Sequence, residues 1–130
     1  MSRVTTCRSV IVPLLIAAIL VGVLTACAPS VPSEPPGITG AVTSLAAGDG
    51  RPASFLVEGP NPQPSGAIAD KAQVNIPPAT MFFGADGNAT SLDSISRIAK
   101  GTRVRVWFQG PVAESYPVQG SAKAVQILGK

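Results

Sequence analysis

An uncharged apolar run near the amino terminus limits what the rest of this chain can fold into. The fifteen residues 10–24 carry no charge, and Arg3 and Arg8 precede them. A membrane-spanning helix needs ~20 apolar residues, so this run is short for a permanent span. A basic start, a short apolar core and small residues after it are typical of a secretory signal peptide. We therefore expect residues 1–26 to be removed, and only the residues after them to fold.

The last residue of the run and the three residues after it indicate how the chain is processed. They are Leu24, Thr25, Ala26 and Cys27, and they resemble the lipobox of bacterial lipoproteins, in which small residues precede an obligatory cysteine. The resemblance implies that a diacylglycerol with acyl chains such as palmitate is attached to the Cys27 sulfur, and that the chain is cleaved before Cys27. The alternative is an ordinary cleaved signal with a chance cysteine. The expected location is extracytoplasmic, on a bacterial membrane to which the lipid on Cys27 anchors the chain.

A proline-rich segment comes directly after the expected anchor. Residues 27–36 contain four prolines, which disfavour helix interiors and central strands alike. Such a segment is typically extended, at ~3 Å per residue in the polyproline form. We expect a tether that holds the domain roughly 25–30 Å from the lipid surface, and a folded domain over residues 37–130.

The composition excludes several functions for that domain. The chain has ten basic residues, seven acidic residues and no histidine, and loss of Arg3 and Arg8 leaves eight basic residues against seven acidic ones, a net charge of about +1. That charge argues against a nucleic-acid partner. His-dependent catalysis and His-based metal sites are excluded. Cys7 lies in the expected signal and Cys27 in the lipidation motif, so no disulfide within the domain is expected. We expect no cofactor and no metal.

Short alternating apolar segments, separated by turn residues, predict a β-rich domain. Residues 102–109 carry the strongest strand signal, and Gly110-Pro111 is expected to end this strand. Its two faces hold different residue types, with Val104, Val106 and Phe108 on one and Arg103, Arg105 and Trp107 on the other. Four further strands are predicted, at residues 38–45, 53–59, 71–76 and 122–128.

One segment has helical rather than strand spacing. Thr90 or Ser91 can cap its start and Gly101 lies just beyond its end, and about ten residues are expected to be helical. The apolar residues on its one face are Leu92, Ile95, Ile98 and Ala99. The order β-β-β-α-β-β predicts a mainly β fold, a small five-stranded OB-like barrel with one short helix between strands three and four. An open sheet or a small sandwich is the competing architecture. Residues 80–83 are expected to form a short extra strand or a lid over the core.

The second half of the chain contains a distinctive block, made of Trp107-Phe108, Gly110 and the run Glu114-Ser115-Tyr116-Pro117. With its surroundings, residues 101–128, it resembles the C-terminal block of the YobA-like family, a group of small bacterial secreted or lipid-anchored proteins. A vaguer match covers residues 38–40. The resemblance implies an extracytoplasmic OB-like domain. The family brings no established activity, so the resemblance assigns no catalytic residue.

The block also supplies the candidate ligand face. A strand face and the loop after it converge at the rim of a barrel, where side chains from both can contact one ligand. Arginine and aromatic residues dominate binding hot spots. The candidate residues are Arg103, Arg105, Trp107, Glu114 and Tyr116.

Structural roles are open alternatives for the same side chains. The arginine stems can cover Trp107 on an outer strand face. The Tyr116 hydroxyl can pin a corner by bonding to the backbone. Glu114 can pair with a nearby cation, and the candidates are Arg103, Arg105 and Lys123.

Together these observations predict a lipid-anchored envelope protein that acts as a non-catalytic binding or structural module. The expected partners are the membrane, through the diacylglycerol on Cys27, and an envelope protein or an anionic glycan. The alternative is a small envelope hydrolase or transferase that uses carboxylates such as Glu114 and Asp70. Such an enzyme would need two close carboxylates in one pocket.

Overall fold

A computed structural model of the protein describes residues 28–48, 51–60, 62–63 and 66–130. The expected signal peptide and Cys27 lie outside these residues. The described residues form seven strands and one 3-10 helix. The strands are β1 (Ile38–Gly48), β2 (Arg51–Glu58), β3 (Lys71–Asn75), β4 (Met81–Phe83), β5 (Ala89–Thr90), β6 (Arg103–Ala113) and β7 (Val118–Gly129), and the 3-10 helix (Leu92–Arg97) lies between β5 and β6.

Five of the strands close into a barrel. They follow one another in the order β3-β2-β1-β6-β7, and β3 returns to pair with β7. That closing pair is parallel, from Ala72 opposite Val118 to Asn75 opposite Ser121, whereas the other four pairs are antiparallel. The mainly β, five-stranded OB-like barrel predicted from the sequence is thereby confirmed, with its short helix in the predicted place.

The remaining two strands extend one edge of the barrel. Where β3 leaves β7, β4 takes its place and pairs parallel with β7, placing Phe82 opposite Val125. β5 then pairs with β4. The expectation for residues 80–83 left two possibilities, and the structure shows the short extra strand. The pair Ala89–Thr90 was not predicted, because two residues carry too little pattern to read.

The barrel interior is filled by the apolar face of each strand. Val104 and Val106 of β6 are fully buried, as the alternation predicts, and Phe108 packs partly buried against the same core. Ile95 of the 3-10 helix and Ile98, directly after it, add to this core, with exposed fractions of 8% and 3%. Other members of this inner core are Ile38, Val42, Phe55, Val57, Ala72, Val74, Phe82, Ala122 and Val125.

A second apolar cluster lies on the outside of the barrel. Phe83, Trp107 and Ala124 are buried there against one another, and Val31 packs on them. The cover comes from residues 30–37, which we call the strap. Ser30 makes a β-bridge with Asn88. At the other end of the strap, the Gly37 amide donates to the Val106 carbonyl at 2.8 Å.

Two local expectations are corrected. The helix is a six-residue 3-10 helix rather than an α-helix of about ten residues, and the Ser91 side chain makes no capping hydrogen bond. Serine and aspartate, which make up half of these six residues, are weak helix formers. Ile98, the residue after the helix, has extended backbone angles. Gly110-Pro111 does not end β6, which continues to Ala113. Gly110 adopts a φ of 69°, and the pairing with β7 shifts between Gln109 and Ala113, so the glycine makes an irregularity within the strand.

Candidate functional site

The predicted ligand face is divided between the two ends of β6. Arg103 and Arg105 are exposed on its outer face near the start of the strand. Glu114 and Tyr116 are exposed in the loop after its last residue, Ala113. The strand has eleven residues, each rising ~3.3 Å. One small ligand cannot contact Arg103 and Tyr116 together.

Trp107 is buried rather than available to a ligand. Its side chain is on the outer side of β6, the same side as the arginines, yet only 4% of it is exposed. The indole Nε1–H donates to the Glu34 carbonyl oxygen at 2.8 Å. The Glu34 carboxylate in turn accepts from Lys123 Nζ at 2.8 Å. The strap, rather than the arginine stems, provides the cover for this tryptophan.

The ion pair with Lys123 also changes the acidity of Glu34. The hydrogen bond from Lys123 first, and then its positive charge, hold the pKa of the Glu34 carboxyl below its ordinary value of 4.5. Lys123 was one of the cations expected for Glu114, and it is the strap that uses it. Glu34 is therefore ionised when it fastens the strap.

Arg105 has a structural partner. Its guanidinium donates to Gln126 Oε1 at 3.3 Å. Gln126 is itself buried, and its Nε2 donates to the carbonyl of Gly84 at 3.2 Å and to that of Ala85 at 3.4 Å. This chain of bonds ties β6 and β7 to the turn after β4.

The loop after β6 lies near the ion pair of Glu58 and Lys71, not near the arginines at the start of β6. Tyr116 is 73% exposed, which is against the corner-pinning alternative. Lys71 is paired with Glu58 at this end of the barrel. The hydrogen bond and charge of Glu58, followed by smaller effects of Tyr116 and Asp70, raise the pKa of Lys71 above its ordinary value of 10.5. Glu58 and Lys71 therefore neutralise each other.

The outer face of β2 and β3 is polar and internally bonded. OB-type barrels bind oligonucleotides and oligosaccharides on this face. Here Gln73 Nε2 donates to Ser54 Oγ at 3.1 Å, and Glu58 is paired with Lys71. Over residues 54–58 and 71–75 the outward side chains are Ser54, Leu56, Glu58, Lys71, Gln73 and Asn75, none of which is aromatic. This face offers no platform for stacking bases or sugar rings.

A well-defined concavity lies at the other end of the barrel. It is a cleft of about 310 Å³, bounded by the turn after β4, by β5, by the 3-10 helix and by the last residues of β7. Its apolar wall includes Phe83, Ile127 and Leu128. Its polar wall includes Thr90, Ser94, Arg97 and Lys130. We call this the β7-end cleft.

The polar wall of the β7-end cleft is suited to an anion. Arg97 and Lys130 are exposed cations, and no aspartate or glutamate is among the cleft's lining residues. Thr90 Oγ1 is shielded from solvent and has no hydrogen-bond partner among the described residues. A buried polar atom without a partner costs ~1–3 kcal/mol, and because Oγ1 is closed to solvent, a ligand oxygen can provide that partner only after a local shift of the residues around it.

The carboxylate of Asp86, which follows the lining residue Ala85, is engaged within its own turn. Asp86 accepts from the backbone N–H of Asn88 at 3.0 Å and from its Nδ2 at 2.9 Å. The backbone bond first, and then the side-chain bond, lower the pKa of Asp86 below its ordinary value of 3.8. Both bonds keep this carboxylate turned to Asn88.

Sequence reasoning did not select the β7-end cleft. Thr90, Ser94 and Arg97 follow one another at spacings of four and three residues, which is a helical polar stripe and the only local signal. Ile127 in β7 and Lys130 directly after this strand come some thirty residues later. Their meeting depends on the barrel closure and could not be inferred from local pattern.

Two features are absent from the described residues. None of their helices is long and apolar enough to cross a membrane. In the same part of the chain, no three side chains of the types His, Cys, Asp and Glu are grouped to hold a metal ion.

Comparison with known proteins gives a family match. The model of the family described as "Protein of unknown function (DUF3221)" matches residues 54–129, more than half of the chain. The matched part begins in β2 and includes every segment that lines the β7-end cleft up to Gly129. No curated protein and no solved structure matches the chain.

Proposed function

The chain belongs to the DUF3221 family, and we propose that it is a bacterial envelope protein, lipid-anchored through Cys27, whose barrel is a non-catalytic binding module for an anionic ligand. The observation that carries the binding role is the β7-end cleft, in which Arg97 and Lys130 stand beside three residues with hydroxyl groups and an apolar wall. Pockets of this kind, mostly apolar with a few convergent polar groups, are the usual sites of small ligands.

The proposed location rests on the sequence before the described residues. A basic start, an uncharged run and a lipobox-like motif ending at Cys27 support export and lipidation. We also propose that residues 101–128 are related to the YobA-like family, and this likeness supports an extracytoplasmic location. An anionic glycan or an acidic envelope protein would suit the charges of the cleft.

Binding is favoured over the carboxylate-based enzyme by the composition of the cleft. General acid and base work by carboxylates needs two of them around one substrate. The β7-end cleft has the side chains of two cations, and no aspartate or glutamate is among its lining residues. Asp70 and Glu114 lie outside its lining, so an enzyme built on them would need another site.

Metabolic labelling tests the anchor. Cells expressing the wild-type chain or Cys27→Ser are grown with a tagged fatty acid, and the label on the purified protein is measured. Serine lacks the thiol that forms the thioether, so the variant should carry no label and be released or mislocalised. Equal label on both proteins would contradict the lipid anchor.

Crosslinking on intact envelopes tests the binding role. Wild type, Arg97→Gln and Lys100→Gln are compared, because Lys100 is exposed close to Arg97 but does not line the cleft. A covalent adduct that is lost in Arg97→Gln and kept in Lys100→Gln supports the cleft as the binding site. Identical adducts in all three proteins would contradict it.

A further inference from the structure

The strap places the β7-end cleft close to the expected lipid anchor. Ser30 bridges to Asn88, and only two residues separate Ser30 from Cys27. Three residue steps span at most ~11 Å of extended chain. Asn88 is two residues before Thr90, which lines the cleft. A lipid on Cys27 would therefore hold this end of the barrel at the membrane surface, not 25–30 Å away from it.

The strap is bound to the barrel at several points, so a lipid on Cys27 would hold the barrel itself close to the membrane. It is held by the bridge at Ser30, by the bond from Trp107 Nε1 to the Glu34 carbonyl and by the Glu34–Lys123 pair. At its end, the Gly37 amide bonds to Val106 and the Gly37 carbonyl accepts from the Ile68 amide at 2.7 Å. These contacts run along most of its length, so the strap does not act as a free spacer.

The chemistry of the cleft matches the molecules that such a surface presents. Arg97 and Lys130 can neutralise a phosphate, and Thr90 and Ser94 line the same space. Phosphate is a preferred partner of arginine because the guanidinium donates two parallel hydrogen bonds. Phe83 and Ile127 form an apolar wall that the glycerol and first methylenes of a lipid could contact. About 310 Å³ is at the low end of ligand-pocket volumes, enough for a headgroup but not for the acyl chains.

We propose that the β7-end cleft binds the phosphate headgroup of an anionic phospholipid in the same membrane that holds the anchor. This inference rests on the proposed function and names its ligand. The acyl chains stay in the bilayer, and the strap keeps the cleft at headgroup level. The anchor and the headgroup then hold the barrel at two points, which fixes one orientation on the membrane.

Photocrosslinking in vesicles tests this proposal. The full-length, lipidated protein is reconstituted into phosphatidylcholine vesicles containing phosphatidylglycerol with a photoreactive group beside its headgroup. Adducts are mapped by mass spectrometry. We expect them at residues 83–85 and 127–130. Arg97→Gln should lower their yield roughly tenfold, whereas Lys100→Gln removes the same charge nearby and should leave the yield within about twofold.

Thr90→Val separates a role of this hydroxyl in binding from a role in stability. The substitution removes the unpartnered hydroxyl and keeps the branched shape. Thermal unfolding should therefore be unchanged or shifted to higher temperature, while the crosslinking yield falls. A yield equal to that of the wild type would contradict the part assigned to this hydroxyl in the site.

Two further arms separate the possible sources of the phosphate and the possible causes of failure. Free glycerol phosphate, added at the concentration of accessible lipid, should not compete. Equal competition would mean that the cleft takes a soluble phosphate, and the membrane source would be wrong.

Adducts spread evenly over the surface, or equal yields for Arg97→Gln and Lys100→Gln, would overturn the site. If the fatty-acid label on Cys27 is present at the same time, the anchor stands and only the headgroup inference fails. Specific capture of a glycan or a protein by the cleft would likewise leave the binding module standing and replace its ligand.

Discussion

The two apolar clusters of this protein are buried in different ways. The inner core is enclosed by the barrel itself, and each strand contributes the apolar half of its alternation, as Val104 and Val106 do. The outer cluster around Phe83 and Trp107 has no second sheet to cover it. Its cover is the strap, fastened by backbone hydrogen bonds, one indole bond and one ion pair.

The difference teaches that alternation indicates the side of a strand and not its burial. Arg105 and Trp107 share the outer side of β6, yet the first is exposed and the second is 4% exposed. What separates them is a proline-rich segment from more than seventy residues earlier in the chain. An outward aromatic residue in a small domain can therefore be the docking point of a segment expected to be a linker.

The largest expected effect is in the inner core. Val106→Asp places a carboxylate where the side chain is fully buried, and an unpaired buried charge costs several kcal/mol, comparable with the whole stability of a small domain. We expect the variant to be unfolded by circular dichroism. Arg105→Ala, on the neighbouring exposed position, should lose at most about 1 kcal/mol. Similar melting temperatures for the two variants would mean that the register of β6 is wrong.

The next largest effect should come from the outer cluster. Trp107→Ala removes a buried indole, a change that typically costs ~3–5 kcal/mol. Trp107→Phe keeps most of the apolar contact but removes the Nε1–H bond to Glu34, and should cost about 1 kcal/mol. Urea unfolding curves measure both. If Trp107→Ala is as stable as the wild type, the strap does not bury this side chain in solution.

The junction of strap and barrel gives a smaller effect. A β-carbon on Gly37 would lie 2.5 Å from a ring carbon of Phe108, so Gly37→Ala requires the ring to shift. Overpacking of this kind typically costs ~1–3 kcal/mol. Gly101→Ala is not a steric control for this variant, because Gly101 has a φ of 87°. Ala113→Ser in the exposed end of β6 is a better control, and it should leave the melting temperature unchanged.

The smallest effect is a pH dependence of the strap. The pKa of Glu34 is lowered by Lys123, so the pair stabilises the folded state above the ordinary carboxyl pKa of 4.5. This contribution is lost as the pH falls through the lower pKa of the folded state. The Trp107 indole N–H resonance in NMR spectra should therefore shift with acidification below pH 4.5. Glu34→Gln should remove that shift. If acidification shifts the resonance equally in the wild type and in Glu34→Gln, the pair does not hold the strap.

Local pattern predicted much of this fold because most of the barrel is made of strands whose inner residues alternate. Val104 and Val106, or Ile95 and Ile98 in and directly after the helix, could be assigned to the core from spacing alone. The order of the elements then predicted the barrel. The length and type of the helix could not be read in the same way, because weak helix formers such as Ser94 and Ser96 leave the outcome to packing.

The candidate site was predicted less well for a related reason. Arg103, Arg105, Trp107, Glu114 and Tyr116 were grouped because they are close in the sequence. In the structure the strap covers one of them, and a whole strand separates the others. The residues of the β7-end cleft, such as Arg97 and Lys130, come from separate elements, and only the closed barrel brings them together.

The central claim is that the strap belongs to the folded domain and covers Trp107. Acrylamide quenching of fluorescence tests this directly, because Trp107 is the only tryptophan of the chain. In the native full-length protein we expect the short-wavelength emission of a buried indole and weak quenching, with strong quenching only after unfolding in urea. Native quenching as strong as that of the unfolded chain would show that Trp107 is open to solvent and that residues 30–37 act as a free tether.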